Sequence, residues 1–291
     1  MNDLSISKLN EKIVPGLYIL STPIGNLGDL SPRAQHVLKE ADIIACEDTR
    51  RTGKLLAHYK IKTPTTPYHE HNAYTARPKI LQRLSSGDII ALVSDAGTPL
   101  LSDPGFKLVR EAIDMEIYIS GIPGPNAGIL ALVLSGLPTD RYLFLGFLPP
   151  KSNARKIVFE EIKNIRASLI IYESPQRLLA LLSDAKNILG LREAAISREL
   201  TKKHEEIRRG KLNNLEAHYF EYGPPRGEIT LVIGPPDKNV QQLDNNTIDA
   251  KLDKLMMNMG ARDASIILSS ETNLPKRTIY KRAIMRKTTN R

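Results

Sequence analysis

At 291 residues the chain is longer than one hydrophobic core usually serves, so two or three domains are expected. Its composition, 41% hydrophobic and 25% charged, is that of an ordinary globular protein, and a single cysteine, Cys46, excludes an internal disulfide framework. A net charge of +9 favours an anionic partner such as nucleic acid. The longest apolar stretch, Gly128 to Leu137, is too short for a membrane span, and the polar N-terminus lacks the apolar core of a signal peptide. A cytoplasmic location is the expectation.

In chain order, residues 1–15 are polar. Leu17 to Leu20 reads as a strand running into a loop of small residues, Ser21 to Leu30. Ser31 then caps a helix that starts at Pro32 and ends near Glu40. Asp42 to Cys46 is a second strand, with Cys46 buried in it, and it ends in Glu47-Asp48-Thr49-Arg50. A helix over Arg51 to Tyr59 is followed by a loop, Pro64 to His71, and by a helix from Ala73 to Leu84. The apolar run Ile89 to Val93 reads as a buried strand. It feeds Ser94-Asp95-Ala96-Gly97-Thr98-Pro99, where the near absence of side chains at Ala96 and Gly97 would let a ligand lie against the backbone. Asp103-Pro104 reads as the N-cap and first residue of the next helix, Gly105 to Ala112. A strand at Ile117 to Ser120 precedes a third small-residue loop, Gly121 to Gly128, and an apolar helix to Leu134. Strand, loop and helix thus alternate four times, which predicts an α/β domain with a mainly parallel sheet. Small loops at the carboxyl ends of its strands are where such sheets hold ligands.

Residues 139–236 read as a second α/β domain. Its strands are Tyr142 to Leu148, Ser168 to Glu173, Ala194 to Lys203, His204 to Arg209 and Gly227 to Ile233. Its helices are Ser152 to Asn164, Pro175 to Leu189 and Lys211 to Glu221. Pro235-Pro236 and the polar run to Asn246 form a linker. From Thr247 onward ten Lys and Arg face four Asp and Glu, a net +6 of the total +9. Three helices fit there: Asp249 to Met259, Ala261 to Glu271 and Lys276 to Lys287. The turn between the last two has the length of a helix-turn-helix connection. Lys276, Arg277, Lys281, Arg282, Arg286 and Lys287 on the last helix point to phosphate contacts with RNA; the alternative is a solvated cap that only aids assembly.

The glycine spacings match neither the dinucleotide pattern nor a Walker A loop, which disfavours a redox or nucleoside-triphosphate enzyme. No Cys/His zinc spacing occurs, and His69-x-His71 lacks further ligands, so no metal is expected. Ser-Thr-Pro-Ile-Gly-Asn-Leu-Gly-Asp (21–29), Glu-Asp-Thr-Arg (47–50) and Val-Ser-Asp-Ala-Gly-Thr-Pro (93–99) resemble segments of the ribosomal RNA small subunit methyltransferase I family. So do Pro-Gly-Pro-Asn-Ala (123–127), Ile-Tyr-Glu-Ser-Pro (171–175) and Arg-Glu-Leu-Thr-Lys (198–202). The resemblance implies a tetrapyrrole methylase-like fold of two α/β domains, 1–123 and 124–240, with a small all-α domain over 245–291. It implies 2′-O-methylation of a cytidine ribose in the decoding region of 16S ribosomal RNA, S-adenosylmethionine as donor, and a homodimer.

For the donor, the resemblance implies a cleft between the two α/β domains. Its residues would be Pro23, Ser94, Asp95, Ala96, Gly97, Leu100, Ser120, Pro123 and Ala127 from the first half. Tyr172, Glu173, Glu199, Gly227, Glu228 and Thr230 would come from the second. For the acceptor, Glu47-Asp48-Thr49-Arg50 brings two carboxylates and a guanidinium together. Asp48 or Glu47 would accept the proton of the 2′-hydroxyl or orient the ribose, and Arg50 would hold a phosphate or developing alkoxide. His71 is a further candidate base. The alternative reading of this motif is a helix cap with a surface ion pair. Two other functions also fit parts of the sequence: a tetrapyrrole (precorrin or uroporphyrinogen) C-methyltransferase, and a non-catalytic RNA-binding assembly protein.

Overall fold

Five short strands form the first sheet: β1 (Gly16–Leu20), β2 (Ile43–Cys46), β3 (Thr65–Pro67), β4 (Ile89–Val93) and β5 (Ile119–Ile122). The computed structural model describes residues 13–236, 245–272 and 274–289. The strand order is β3-β2-β4-β1-β5 and every pairing is parallel. Helices α1 (Pro32–Glu40), α2 (Thr49–His58), α3 (Ala73–Ser85) and α4 (Phe106–Asp114) cover it. Alternate residues of each strand enter opposite cores, as the two-residue side-chain period requires. Leu20, Ile44, Ala91 and Val93 pack with Leu38, Leu55 and Leu56; Leu17, Ala45, Ile90 and Leu92 pack with Ile80, Leu84 and Leu108. Parallel strands with crossover helices put all their carboxyl ends on one edge, so the loops after β1, β2, β4 and β5 converge there.

The second sheet comprises β6 (Tyr142–Phe147), β7 (Ser168–Glu173), β8 (Glu193–Arg198), β9 (Glu206–Lys211) and β10 (Ile229–Ile233). Its order is β6-β7-β10-β8-β9, and only β6 and β7 run parallel. Helices α6 (Ser152–Ile162), α7 (Pro175–Leu189) and α8 (Leu212–Tyr222) close one face around Phe159, Leu181 and Leu231. The helix between the two sheets, α5 (Ala127–Ser135), lays Ala131 and Leu132 on the other face against Ile170 and Val232. Asn126 caps it by accepting from the Ile129 N–H at 2.9 Å.

The chain forms two compact units, the first ending at Pro235 and the second beginning at Pro236. Among the described residues the second unit holds three helices, α9 (Asn245–Met256), α10 (Ala261–Thr272) and α11 (Lys276–Thr289), around Leu252, Leu268, Ile279 and Ala283. Among the described residues no helix is long and apolar enough to cross a membrane.

Several local expectations shift. The segment read as a loop at 64–71 contains β3, a three-residue edge strand whose neighbouring prolines hide it. β5 begins at Ile119 and not at Ile117. β8 stops at Arg198 because Glu199 and Thr201 adopt φ of +50° and +66°, so 199–205 is a loop. Asp103 does not cap a helix: α4 starts at Phe106, with Gly105 at φ +136° in the cap position. The residues at 1–12 and most of the 235–246 linker lie outside the described residues.

Candidate functional site

A cleft of about 710 Å³ opens within the first unit, at the carboxyl edge of the first sheet and against the second sheet. That volume is of the size that small-molecule sites occupy. One wall is the loop after β4, Asp95 to Thr98 and Leu101 to Asp103, with Glu47 and Arg51 beside it. The N-terminus of α5 contributes Asn126 and Ala127. The opposite wall carries Tyr172 and Glu173 of β7, Ser197 of β8, Glu199, Lys202, and Gly227 to Thr230 leading into β10. Thr230 is in register with both Tyr172 and Ser197, so these three form one row across the sheet.

Backbone geometry fixes both walls. Thr22 and Gly97 exchange two backbone hydrogen bonds, 2.9 and 3.0 Å, which ties the loop after β1 to the loop after β4. Gly97 sits at φ +79°, a conformation that favours glycine. The Thr98 hydroxyl accepts from Ser21 Oγ at 3.1 Å and donates to the Pro125 carbonyl at 3.1 Å, joining the same loops to the start of α5. Leu100, Ser102, Glu199 and Thr201 are all left-handed non-glycine residues, and all four lie in the two loops that border the cleft. Strain of this kind collects where a ligand site over-determines the backbone.

Of the residues expected to hold a donor, Asp95, Ala96, Gly97, Ala127, Tyr172, Glu173, Glu199, Gly227, Glu228 and Thr230 line the cleft. Pro23, Ser94, Leu100, Ser120 and Pro123 are not among the lining residues. Ser94 is buried and its hydroxyl donates towards the carbonyls of Ala96 and Gly97, at 3.3 and 3.4 Å, so it shapes the loop from beneath. Ser120 is inside β5 and Pro123 follows its end.

The acceptor motif divides. Glu47 lines the cleft; Asp48, Arg50 and His71 do not. Asp48 is the N-cap of α2, accepting from the Arg50 N–H at 2.8 Å, and its carboxylate is gripped by the Arg50 guanidinium at 2.7 and 3.1 Å. That grip holds the Asp48 carboxyl well below the usual carboxylate range. Arg50 itself is 86% exposed. The cap-and-ion-pair reading therefore describes these two residues. The guanidinium in the cleft is Arg51, 3.3 Å from Asp95, whose other carboxylate oxygen accepts from the Asp48 N–H at 2.9 Å. His71 is exposed, its ring edge-on to His69.

Burial, and then the charge of Asp95, push the Glu47 carboxyl up. Burial, and then the charge of Glu47, push Asp103 up to about 6. Burial also raises the Tyr172 hydroxyl, which accepts from the Gly128 N–H at 3.1 Å. Two buried polar atoms of the lining residues have no partner: Glu173 Oε2 and Ser197 Oγ. The other Glu173 oxygen accepts from the Ser174 N–H at 2.8 Å and pairs with Arg177 at 3.1 Å. Sequence reading missed Arg51, Asp103 and Ser197. Asp103 stood in a plausible helix cap, and only the glycine two residues later signalled a longer loop.

On α11, Lys276, Arg277, Lys281 and Lys287 are exposed. Arg282 and Arg286 are half-buried and pair with Asp249 and Asp253 of α9, so both are spent on holding the helices together. Among the described residues no group of three or more His, Cys, Asp or Glu could hold a metal ion.

Comparison with known proteins matches residues 16–216 to the family of tetrapyrrole (corrin/porphyrin) methylases. The ribosomal RNA small subunit methyltransferase I of Mesorhizobium japonicum is 45% identical over 95% of this chain and 94% of its own length. That of Erythrobacter litoralis is 46% identical over 96% of this chain and 98% of its own. Among solved structures, uroporphyrin-III-C-methyltransferase from Thermus thermophilus superposes with a TM-score of 0.54 at 19% identity, over 76% of this chain and 94% of that one, a likeness of fold. With relatives this similar along nearly its whole length, the chain belongs to the ribosomal RNA small subunit methyltransferase I family, within the tetrapyrrole methylases.

Proposed function

We propose that this chain methylates the 2′-hydroxyl of a cytidine ribose in the decoding region of 16S ribosomal RNA, with S-adenosylmethionine as donor. The observation that carries the reading is the cleft's lining: the unpartnered buried acceptors Glu173 Oε2 and Ser197 Oγ on one wall, and Glu47, Asp95, Asp103 and the Arg51 guanidinium on the other. Glu173 Oε2 and Ser197 Oγ suit the ammonium and hydroxyl donors of the donor molecule, and the near-naked backbone at Ala96 and Gly97 leaves room for its adenosine. The loop from Asp95 to Gly97, Ala127, Tyr172 and the segment from Gly227 to Thr230 would hold it. S-adenosylmethionine supplies a methyl carbon already activated by its positive sulfur. The protein therefore has to place a weakly acidic hydroxyl about 3 Å from that carbon and manage its proton.

The acceptor wall takes the roles that the sequence had spread over residues 47 to 50. Glu47 orients the ribose, and Arg51, anchored on Asp95, meets the phosphate or the developing alkoxide. Lys276, Arg277, Lys281 and Lys287 of α11 add phosphate contacts. The working form is a cytoplasmic homodimer. Its interface is read from β5, an edge strand of the first sheet, flanked by the exposed Ile113, Met115 and Tyr118. Light scattering of the purified protein tests that pairing.

The decisive assay incubates the protein with isotopically labelled donor and unmethylated small subunits, naked 16S RNA, or uroporphyrinogen. Nucleoside mass spectrometry should find one 2′-O-methylcytidine. Label transferred to uroporphyrinogen and not to RNA would overturn the assignment.

A further inference from the structure

Four carboxylates stand at the carboxyl edge of the first sheet, on Glu47, Asp48, Asp95 and Asp103. A general base must face the reacting atoms, keep a lone pair available and hold a proton more tightly than an ordinary carboxylate. Asp48 fails on each count: it does not line the cleft, and Arg50 and a backbone N–H occupy its oxygens. Asp95 lines the cleft, but one oxygen accepts from the Asp48 N–H and the other pairs with Arg51, so it is a fixed anchor. Glu47 faces the cleft, and burial, then Asp95, push its carboxyl up as well, but Arg51 and His69 stand beside it and partly offset that rise.

Asp103 differs from all three. The left-handed Ser102, at φ +68°, and Gly105, at φ +136°, turn the chain so that Asp103 leaves the helix start and lines the cleft. The loop is seated against the second sheet, where Ser102 Oγ comes so near Gly146 that a Cβ there would lie only 2.6 Å from it. The groups facing Asp103 are Glu47 after β2, Asp95 and the Ser94 hydroxyl after β4, and Tyr172 on β7. Among the described residues none of the ion pairs involves Asp103. Of the four carboxylates at this edge it is the one that meets anions and hydroxyls with no cation beside it.

We propose that Asp103 is the catalytic base that takes the proton of the attacking ribose hydroxyl. As the 2′-oxygen bonds to the methyl carbon, the carbon–sulfur bond breaks and its electron pair stays on sulfur. The hydroxyl proton passes to an Asp103 carboxylate oxygen and from there to water. Burial first, then repulsion from Glu47 and Asp95, raises the proton affinity of Asp103, and Arg51 stands 3.3 Å from Asp95 on the same wall. With its carboxyl pushed up to about 6, Asp103 is mostly ionised at neutral pH and still far more basic than an exposed aspartate.

The assignment rests on the methyl transfer proposed above, and the experiment separates the two. Wild type, Asp103→Asn and Asp103→Glu are assayed with saturating S-adenosylmethionine and unmethylated small subunits from pH 5 to 8.5, with donor affinity measured by calorimetry. The wild-type turnover should rise with pH and level off above an inflection near 6. Asp103→Asn should lose at least about a hundredfold in kcat and lose the inflection, with donor Kd within about threefold of wild type. Asp103→Glu should recover part of the turnover and the pH dependence. An active wild type beside an Asp103→Asn variant of near-normal kcat, or one whose loss is matched by lost donor binding, overturns the base and leaves the function standing. A wild type that methylates no RNA overturns both.

Discussion

Substituting Gly227 by alanine tests how the second wall of the cleft is built. Gly227 has φ +89°, and an added methyl would lie 2.6 Å from Glu199 Cδ and 2.7 Å from its Cγ, where ordinary contact begins at 3.4 Å. Holding an L-residue in that left-handed conformation costs about 1–2 kcal/mol. The clash also drives Glu199 off its 3.0 Å pair with Lys202, a half-exposed contact worth about 0.2–1 kcal/mol. The loss of stability should thus be about 1–3 kcal/mol, with Tm falling by about 2–4 °C for each. The damage stays at the rim, because β10 begins only at Ile229. Donor affinity, measured by calorimetry, should fall at least tenfold, about 1.4 kcal/mol. In a Glu199→Ala background the steric part vanishes and the backbone part remains, so the two substitutions should couple favourably in thermal melts. A Gly227→Ala protein that binds S-adenosylmethionine as tightly as its parent, or melts additively with Glu199→Ala, would refute this picture of the wall.

Ser197→Ala removes a buried hydroxyl without a partner, so the unliganded protein should melt at the same temperature or higher, while donor affinity drops by about threefold to tenfold, the worth of one hydrogen bond. Lower stability with unchanged affinity would make Ser197 a core residue only. Asp103→Asn should stabilise the protein at pH 7.5. A carboxyl raised in the folded state contributes its stability below the unfolded value near 3.9, and that contribution is lost as pH rises through about 6. The amide escapes that loss, so the Tm advantage should fade towards pH 4, and an advantage of the same size at both pH values counts against the buried-carboxylate reading. In the second unit, joint replacement of Lys276, Arg277 and Lys281 by alanine should leave α11 folded. It should reduce the salt dependence of RNA binding by about 0.7–0.9 for each phosphate that no longer meets a cation, and an unaltered slope would remove this helix from the RNA interface.

Much of the fold was legible because apolar periodicity is a direct imprint of burial. Ile89 to Val93 is continuous in the sequence because both faces of β4 are covered, and Ser31-Pro32 marks a helix start by its own side-chain chemistry. β3 escaped because three residues, preceded by one proline and ending in another, carry no periodic signal. The strand read through Lys203 failed for a different reason. Glu199 and Thr201 are ordinary residues held in left-handed backbone by their surroundings, and nothing in their identity announces it.

The same asymmetry separates the loops proposed for the donor from the carboxylates proposed for the acceptor. Where backbone must approach a ligand, the sequence has few options, and Ala96-Gly97 and Gly227 line the cleft with little or no side chain. Where a carboxylate must be chosen among neighbours, the decision lies in the geometry of the local turn. Asp48 and Glu47 are adjacent in the chain, but an N-cap bond to Arg50 keeps the first off the cleft wall that the second lines. Asp103 stands 55 residues beyond Asp48 in the chain and follows a different strand. It joins Glu47 only because β2 and β4 are parallel neighbours whose ends meet on one edge, and because Ser102 and Gly105 bend the chain between them. A motif scan weighs residues by adjacency, whereas the proton affinity of a carboxyl is set by which charges and how little water reach it in space. In this chain that difference moves the candidate base from the most conspicuous acidic motif to an aspartate that looked like a helix cap.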